Sequence, residues 1–203
     1  MPEVETPHGP ARVHLRPVKK PVAGLVLGHG AAGGVGTTDL AATTEVANQA
    51  GVSVALVEQP YVVAGRRSPA PAKQLDTAWQ AVVEDLRGDD LQGLPLIVGG
   101  RSAGGRVACR TAADVGAVAV LCLAFPVHPP GKGDDPSKSR ISELDAVEVP
   151  VLVVQGENDR FGMPEPDGDR TVVRVRGDHR LASDRAAVRA AVGEWLGALI
   201  ARS

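Results

Sequence analysis

Short runs of aliphatic residues, rich in valine, alternate along this chain with segments of helical periodicity. The runs occupy residues 23–27, 52–57, 94–98, 118–124, 151–154 and 171–175. Each run is continuously apolar, which is typical of strands that are covered on both faces of a sheet. Strands that alternate with helices build βαβ units around a parallel sheet. The pattern therefore predicts an α/β fold, a three-layer sandwich with a mostly parallel central sheet.

The segments between the runs carry helix signals. One segment, expected to end before Gly88, places five apolar side chains on one helical face: Leu75, Trp79, Val82, Val83 and Leu86. Thr37 or Thr38 is expected to cap a helix that ends at Gly51. Ser183 is expected to cap a final helix whose apolar side chains face inward.

One long segment has no regular pattern. Residues 126–140, PVHPPGKGDDPSKSR, are too rich in proline, glycine and charge for a helix or a strand. The segment follows a strand, so it is expected at the carboxyl edge of the sheet, where open α/β folds bind ligands. Between residues 124 and 151 there is no room for a helical cap domain. Residues 11–20 predict an antiparallel edge strand, and residues 1–203 as a whole predict a single domain.

Composition excludes several classes of function. A net charge of −2 gives no electrostatic footprint for nucleic acid or an anionic membrane. No stretch approaches the roughly 18 consecutive apolar residues of a membrane span, and the first ten residues lack a signal-peptide pattern. Cys109 and Cys122 are expected to be buried free thiols, which suit a reducing compartment. We therefore expect a cytoplasmic protein, and no residue grouping has the spacing of a metal site.

The segment GGRSAGGR, residues 99–106, holds one serine among small residues. It follows an apolar run and precedes a helical segment, which is the context of a nucleophile elbow. At such a turn the serine adopts a strained backbone conformation, and side chains two residues away on either side would collide. This requirement accounts for Gly100 and Gly104. A plain glycine-rich turn is the alternative, but the context favours Ser102 as a nucleophile.

A serine hydroxyl needs a base and an orienting carboxylate before it becomes a good nucleophile. On this architecture both follow in loops after later strands, the acid first and the histidine second. Asp159 follows the fifth apolar run, and His179 follows the sixth. Glu157 is an alternative acid. His29 lies in an early glycine-rich turn, where a structural role is favoured over proton transfer.

The segment GHGAAGGVG, residues 28–36, permits three interpretations. It contains G-x-G-x-x-G, and Glu58 ends the next run, as in a dinucleotide-binding site. That site needs a helix that starts inside the motif, which the further glycines at positions 34 and 36 disfavour. A His-Gly pair after an early strand also places a backbone amide, here that of Ala31, against a developing oxyanion. A plain flexible turn is the third interpretation.

Together the segments LGHGAAGG, GGRSAGGR, VVQGENDRFG and GDHRL resemble the α/β-hydrolase fold over residues 21–200. More narrowly, the chain is similar to small capless hydrolases near the dienelactone-hydrolase group. It is also similar to the hydrolase-like subunit of the nonspecific-lethal histone acetyltransferase complex. The resemblance implies Ser102 as nucleophile, Asp159 as acid and His179 as base, with the amides of Ala31 and Ala103 as the oxyanion hole. Dienelactone hydrolases carry cysteine at the elbow, so their lactone specificity is not implied here.

The expected function is that of a serine hydrolase that cleaves small carboxylic esters or thioesters through an acyl-enzyme, without metal or cofactor. A non-catalytic interaction protein of the same fold is the alternative, and a nucleotide-dependent oxidoreductase is a third class. The absence of a cap predicts a shallow pocket and short acyl chains. Arg66, Arg67 and Arg101 follow strands, where they either attract an anionic substrate or form a solvated surface.

Overall fold

The apolar runs lie side by side in one sheet in the computed structural model, which describes residues 2–202. Its strands are β1 Glu3–Val4, β2 Ala11–Arg16, β3 Ala23–Gly28, β4 Val52–Glu58, β5 Leu96–Arg101, β6 Ala119–Leu123, β7 Val151–Gly156 and β8 Arg170–Val175. Its helices are α1 Thr38–Gln49, α2 Pro60–Val63, α3 Ala72–Gly88, α4 Ala103–Thr111, α5 Ile141–Asp145 and α6 Arg185–Ile200. Strands and helices alternate from β3 to α6, as the sequence pattern predicts.

The strand order across the sheet is β1-β2-β4-β3-β5-β6-β7-β8. Strands β3 to β8 are parallel, whereas β2 is antiparallel to both β4 and β1. The antiparallel strand predicted within residues 11–20 is thus confirmed over residues 11–16, but β1 pairs with its outer side, so β2 is the second strand from the edge. Strand β1 was not predicted, because two residues are too few to show a periodic pattern. The mostly parallel sheet places six strand ends, and the loops that follow them, along one carboxyl edge.

Two hydrophobic clusters lie on opposite faces of the sheet. On β4, Ala55 and Val57 pack with the apolar sides of α3, α4 and α5, whereas Val54 and Leu56 pack with α1 and α6. Alternate residues of a strand point to opposite faces, so a strand buried on both faces is continuously apolar. The predicted three-layer fold is therefore confirmed.

Helix α3 shows how the helices join this core. The five side chains predicted to share one face of α3 are all buried, and Trp79 is completely so. The helix extends to Gly88, so its predicted end is correct to within one residue. Burial of a large apolar side chain stabilises a fold by about 1.5–3 kcal/mol, which makes α3 a major contributor to the first cluster.

The predicted helix caps are only partly correct. Thr37 occupies the N-cap position of α1, but its hydroxyl makes no capping hydrogen bond. The C-terminal end is as expected, with Gly51 in the left-handed region just beyond the helix. The prediction that Ser183 caps the last helix is wrong, because Asp184 accepts the backbone N–H of Ala187 at 3.0 Å. A carboxylate also interacts favourably with the positive end of the helix dipole.

Several strand bounds differ from the apolar runs. Strand β5 begins at Leu96 and continues through two glycines to Arg101, because Gly100 pairs with β3 and Arg101 pairs with β6. Glycines carry no apolar signal, so their pairing in a central strand is not visible in the sequence. Strand β6 is shorter than its run and omits Val118 and Ala124.

The connection between β6 and β7 bears on access to the sheet edge. Within the described residues it contains a short 3₁₀ turn, Pro136–Lys138, and the five-residue helix α5. The rest of the predicted irregular segment lacks regular structure, and no cap domain is formed there. Among residues 2–202, no helix combines the length and the apolar character needed to cross a membrane.

The two cysteines face each other inside the first hydrophobic cluster. Cys109 on α4 and Cys122 on β6 are both buried, and their Sγ atoms lie 3.5 Å apart without a disulfide bond. The hydrogen bond with Cys122, together with burial, raises the pKa of the Cys109 thiol well above its usual value. The prediction of buried free thiols is confirmed.

Candidate active site

Ser102 occupies a sharp turn between β5 and α4. Its backbone has φ 50° and ψ −110°, a conformation that costs a residue with a side chain about 1–3 kcal/mol. Two hydrogen bonds hold the turn. The N–H of Ser102 donates to the carbonyl of Leu123 at 2.9 Å, and the N–H of Arg106 donates to the carbonyl of Ser102 at 3.2 Å. The surrounding structure thus imposes the strained conformation.

The two elbow glycines lie where no side chain fits. A Cβ atom on Gly104 would lie 2.5 Å from the carbonyl carbon of Gly28 and 2.9 Å from the carbonyl oxygen of His29. A Cβ atom on Gly100 would lie 2.7 Å from the carbonyl carbon of Gly104. Atoms of this type do not approach so closely without displacement of the backbone. The close contact among β3, β5 and the start of α4 therefore requires glycine at both positions.

Three side chains from separate loops meet beside the elbow. His179 Nε2 lies 2.9 Å from Ser102 Oγ, and His179 Nδ1 lies 2.7 Å from Asp159 Oδ2. Asp159 follows β7 and its side chain is fully buried, whereas His179 follows β8 and is 16% exposed. Glu157, the alternative acid, is an exposed residue, and Asp159 is the carboxylate that contacts the imidazole. The structure brings together the three residues that the sequence selected.

The carboxylate of Asp159 is held by several donors. The backbone N–H of Phe161 donates to Oδ1 at 2.9 Å, and the side-chain amide of Gln155 donates to Oδ2 at 2.9 Å. Gln155 is completely buried, and its amide nitrogen also lies 2.8 Å from the carbonyl oxygen of Gly162. These contacts fix the orientation in which Oδ2 meets the imidazole of His179.

An aromatic ring covers one side of the His179 imidazole. The ring of Phe161 meets it edge to face, with centroids 4.4 Å apart and an interplanar angle of 66°. Arg160 in turn lies over the Phe161 ring, with Cζ 5.0 Å from its centroid. Such ring pairs are typically worth about 0.5–1.5 kcal/mol beyond the area that they bury. Phe161 therefore restrains the imidazole as well as the carboxylate.

The glycine-rich turn after β3 lies beside Ser102. The N–H of Gly33 donates to the carbonyl of Gly30 at 2.9 Å and closes a turn that contains Ala31. A Cβ atom on Gly30 would lie 3.7 Å from the Cβ atom of Ser102. Ala103 is the first residue of α4, so its N–H has no acceptor within the helix. Gly30, which precedes Ala31, and Ala103 thus lie beside Ser102, and the oxyanion hole formed by the amides of Ala31 and Ala103 stays a prediction.

His29 and Tyr61 support this turn from behind. The Nδ1–H of His29 donates to the carbonyl of Gly30 at 2.7 Å, while Nε2 accepts the N–H of Gln59 at 3.0 Å. Burial lowers the pKa of His29, which keeps the imidazole neutral. The Tyr61 hydroxyl donates to the carbonyl of Ala31 at 3.0 Å, and burial raises the pKa of Tyr61 to about 12. His29 thus has the structural role that the sequence favoured.

The geometry argues against dinucleotide binding at this turn. Helix α1 begins at Thr38, beyond the last glycine of the segment, so no helix starts inside the G-x-G-x-x-G motif. Glu58, the acidic residue of the dinucleotide interpretation, contacts Arg12 and His14 at 3.4 and 3.3 Å. Both elements that the fingerprint requires are therefore absent from this part of the described chain.

The solvated-surface prediction for Arg101 is wrong. Its side chain is 15% exposed and points inward, with Nε 3.0 Å from Oδ2 of Asp39. The guanidinium is thus paired with a buried carboxylate rather than solvated, and attraction of an anionic substrate stays a prediction. Arg66 and Arg67 are exposed, in agreement with the solvated-surface interpretation. The carboxylate of Asp39, which comes from the first turn of α1, explains the burial of the guanidinium.

Sequence reasoning missed several residues that contact the site. These are Asp39, Tyr61, Gln155 and Phe161. The sequence offered a signal for Tyr61 and Phe161, because aromatic residues are rare in this chain. They make up only 2% of it, and Tyr61 is its one tyrosine. A further aromatic side chain, Trp79, lines a cavity of about 10 Å³ with Ala103 and Gly104, directly behind the elbow.

Comparisons with known proteins agree with this architecture. The family model described as an alpha/beta hydrolase domain matches residues 21–185. That range contains the elbow and all three residues of the Asp159–His179–Ser102 series. No curated protein sequence matches the chain.

Solved structures provide the second comparison. Est1E from Butyrivibrio proteoclasticus, in a structure with ferulic acid bound, is 18% identical, covers 99% of this chain and 100% of its own, and superposes with a TM-score of 0.79. A serine hydrolase without a lid from Xanthomonas campestris is 20% identical over 95% and 93% of the chains, with a TM-score of 0.70. Dienelactone hydrolase from Anabaena variabilis is 18% identical over 95% and 94%, with a TM-score of 0.73. At these identities the likeness shows the fold, and the similarity to the histone acetyltransferase subunit stays a prediction.

Proposed function

This chain belongs to the alpha/beta hydrolase domain family, and we propose that it is a serine hydrolase that cleaves small carboxylic esters or thioesters through an acyl-enzyme. The observation that carries the proposal is the hydrogen-bonded series from Asp159 through His179 to Ser102, with the serine held at a strained turn. Nucleophile, base and orienting group are each within hydrogen-bond distance of the next, which is the geometric requirement for this chemistry.

In the first half of the reaction, Ser102 becomes acylated. His179 Nε2 accepts the hydroxyl proton while Oγ attacks the carbonyl carbon, and the carbonyl π electrons move to its oxygen. The N–H groups of Ala31 and Ala103 donate to that oxyanion, and removal of one such donor typically costs about 10²–10³ in rate. The intermediate collapses as His179 gives its proton to the departing alcohol or thiol. An acyl ester on Ser102 remains.

In the second half, water repeats these steps. His179 takes a proton from water, the hydroxide oxygen attacks the acyl ester, and the proton returns to the oxygen of Ser102 as the carboxylic acid leaves. Asp159 accepts the Nδ1–H of His179 throughout, so that Nε2 always faces the nucleophile. These steps proceed on side chains of the domain and need neither a metal nor a cofactor.

The substrate is proposed to be a small molecule with a short acyl chain. No cap covers the carboxyl edge in the described residues, so a bound acyl chain would lie in an open site. An open site buries few methylenes, each worth about 0.8 kcal/mol. A series of p-nitrophenyl esters from acetate to dodecanoate tests this, with kcat/KM expected to be highest for the short esters. Best turnover of the longest esters would contradict the proposal.

Domain organisation and location form part of the same proposal. One continuous eight-stranded sheet supports a single hydrolase domain over residues 1–203. Two buried free thiols, Cys109 and Cys122, support action in the cytoplasm, because reducing compartments keep thiols unpaired.

Labelling with a fluorophosphonate probe tests the activated serine. The wild type is expected to be labelled, with release of fluoride, and Ser102→Ala and His179→Ala are expected to lose the label. Thermal melts of all three proteins show whether each variant is folded. A folded wild type that takes up no label would refute the hydrolase proposal and favour the alternative, a non-catalytic interaction protein of this fold.

A further inference from the structure

The guanidinium of Arg101 lies at the meeting point of three catalytic segments. Arg101 is the last residue of β5 and directly precedes Ser102. Its Nη2–H donates to the backbone carbonyl of His179 at 3.2 Å. Its Nη1 lies under the glycine-rich turn, where a Cβ atom on Gly30 would be only 2.6 Å away. One side chain therefore contacts the histidine loop and the turn that holds Ala31 while it extends from the elbow itself.

Asp39 holds this guanidinium in place. Arg101 Nε lies 3.0 Å from Asp39 Oδ2, although the N–H does not point at the oxygen, so the contact is an ion pair rather than a directed hydrogen bond. The other carboxylate oxygen of Asp39 accepts the N–H of Leu40 at 2.9 Å. The Asp39 side chain is fully buried. A buried carboxylate is costly unless it is paired, so each partner keeps the other in position.

The shape of the guanidinium matters for this arrangement. Its planar fork directs several N–H groups along fixed directions, whereas a lysine ammonium is a compact charge on a flexible stem. With Nε held at Asp39, Nη1 and Nη2 are directed toward the glycine turn and the carbonyl of His179. A lysine at this position would pair with Asp39 but would not reach both remaining segments at once.

From these contacts we propose that Arg101, anchored by Asp39, is a positioning residue that maintains the approach of His179 to Ser102 and the placement of the Ala31 amide. The inference rests on the proposed function, because it assigns a role within the same reaction. Arg101 does not contact the reacting atoms in this scheme and acts through the backbone of the residues that do.

The chain offers a matched control in Arg170. This arginine is also buried and pairs with an aspartate, since Nη1 lies 2.8 Å from Oδ1 of Asp145. It also binds a backbone carbonyl, that of Glu165, at 2.9 Å. Arg170 begins β8 and so lies at the amino end of the sheet, opposite to Ser102. The two arginines make the same kinds of contact, but only Arg101 touches the candidate active site.

The test compares Arg101→Lys with Arg170→Lys. With a short-chain ester, Arg101→Lys is expected to lower kcat by about 10–100-fold with KM within about threefold, because misplacement by about 1 Å costs rates of this order. Arg170→Lys is expected to leave kcat unchanged while it lowers Tm. If Arg101→Lys is folded and keeps the wild-type kcat, or if both variants lose kcat equally, Arg101 has a structural role only and the proposal is overturned.

A second variant covers the case in which Arg101→Lys does not fold. Asp39→Asn preserves the size of the anchor and removes its charge, so the guanidinium loses its fixed orientation. A loss in kcat of about threefold to tenfold, with KM unchanged, is expected. Wild-type kcat in folded Asp39→Asn would overturn the role of the anchored guanidinium.

Failure of the hydrolase proposal is distinguishable from failure of this one. If the wild type neither labels nor turns over esters, the hydrolase function is refuted, and the positioning role is then judged by proton NMR. The Nδ1–H of His179, hydrogen-bonded to Asp159, is expected to give a far-downfield resonance in the wild type and in Arg170→Lys. Loss or displacement of that resonance in folded Arg101→Lys supports the positioning role, and an unchanged resonance overturns it.

Discussion

The two ends of the sheet differ in how the backbone and the polar groups are arranged. Four non-glycine residues among those described have positive φ, and three of them, Ser102, Ala124 and Leu181, follow strands at the carboxyl end. The fourth, Lys20, lies in the turn that leads into β3. Residues in such conformations cost about 1–3 kcal/mol each and persist where the surrounding structure holds them. Backbone strain is therefore concentrated where the loops of the candidate active site meet.

The amino end carries two large grooves. A groove of about 600 Å³ lies between α6 and the first residues of β7 and β8, and includes Trp195. A second groove of about 390 Å³ is lined by apolar residues, among them Val22 and Val118, which are exposed. Equivalent substitutions at the two ends should therefore have different consequences. At the carboxyl end they should change catalysis or disrupt the close packing around the elbow, and at the amino end they should change stability alone.

Replacement of the buried acid should produce the largest difference between the ends. Asp159→Asn is expected to lower kcat about 10⁴-fold, because an amide at this position selects the wrong tautomer of His179. Asp145→Asn, which disturbs the ion pair with Arg170 at the amino end, is expected to leave kcat unchanged. Steady-state kinetics with a short-chain ester measure both. If Asp159→Asn kept more than a tenth of the wild-type kcat, the expected catalytic difference between the two ends would be contradicted.

Glycine-to-alanine substitutions in two helices should give the next largest effect, in this case on stability. Gly104→Ala in α4 is expected to destabilise the protein by about 3 kcal/mol, since the new methyl group overlaps the backbone of β3. Gly197→Ala in α6 meets no atom within 4 Å and is expected to stabilise by about 0.5–1 kcal/mol, because alanine favours a helix. Urea unfolding at neutral pH measures both. If both variants changed the free energy of unfolding in the same direction, the proposed difference in packing would be contradicted.

Loss of a single hydroxyl should have a moderate effect. Tyr61→Phe removes the hydrogen bond to the carbonyl of Ala31, a contact worth about 0.5–1.5 kcal/mol. If that bond keeps the Ala31 amide aligned with the oxyanion, kcat should fall by up to about tenfold with little change in KM. Kinetics on Tyr61→Phe beside Trp195→Phe, an aromatic substitution at the amino end, separate the two regions. A rise in KM alone would point to substrate binding instead.

The smallest expected effect is a dependence of stability on pH. Burial lowers the pKa of His29 below its ordinary 6.5, so the unfolded chain binds a proton more readily than the folded protein. The stability contributed by neutral His29 is therefore complete above pH 6.5 and is lost as the pH falls through the lowered pKa. His29→Gln should reduce the difference between urea midpoints at pH 7.5 and 5.5. If the difference between the two midpoints in His29→Gln equals that of the wild type, His29 is not the source of the pH dependence.

Much of this fold could be predicted because its signals are local. Apolar runs mark the central strands, since burial on both faces selects aliphatic residues over several consecutive positions. The elbow is visible because the turn at Ser102 requires glycine on both sides. Asp159 and His179 are visible because the order of strands in the chain determines the order of loops along the sheet edge.

The contacts that support the site could not be predicted in the same way. Arg101 has the appearance of a surface charge, and only the approach of Asp39 from α1 makes it a buried one. Gln155 is one polar residue at the end of an apolar strand, and its role depends on Asp159 folding back over it. Ser183 and Asp184 are both acceptable caps by residue type, so the choice between them depends on tertiary contacts. Each of these contacts depends on the tertiary fold, which a local sequence pattern does not show.

The two tryptophans report on opposite ends of the molecule. Trp79 is fully buried against Gly28 and lies behind Ala103, whereas Trp195 lines the groove at the amino end. Indole emission shifts to longer wavelength when water reaches the ring. With Trp195 replaced by phenylalanine, the tryptophan fluorescence of the protein, excited at a wavelength that tyrosine does not absorb, would come from Trp79 alone. Opening of the elbow would then be observable as a red shift, without any label and before the rest of the sheet unfolds.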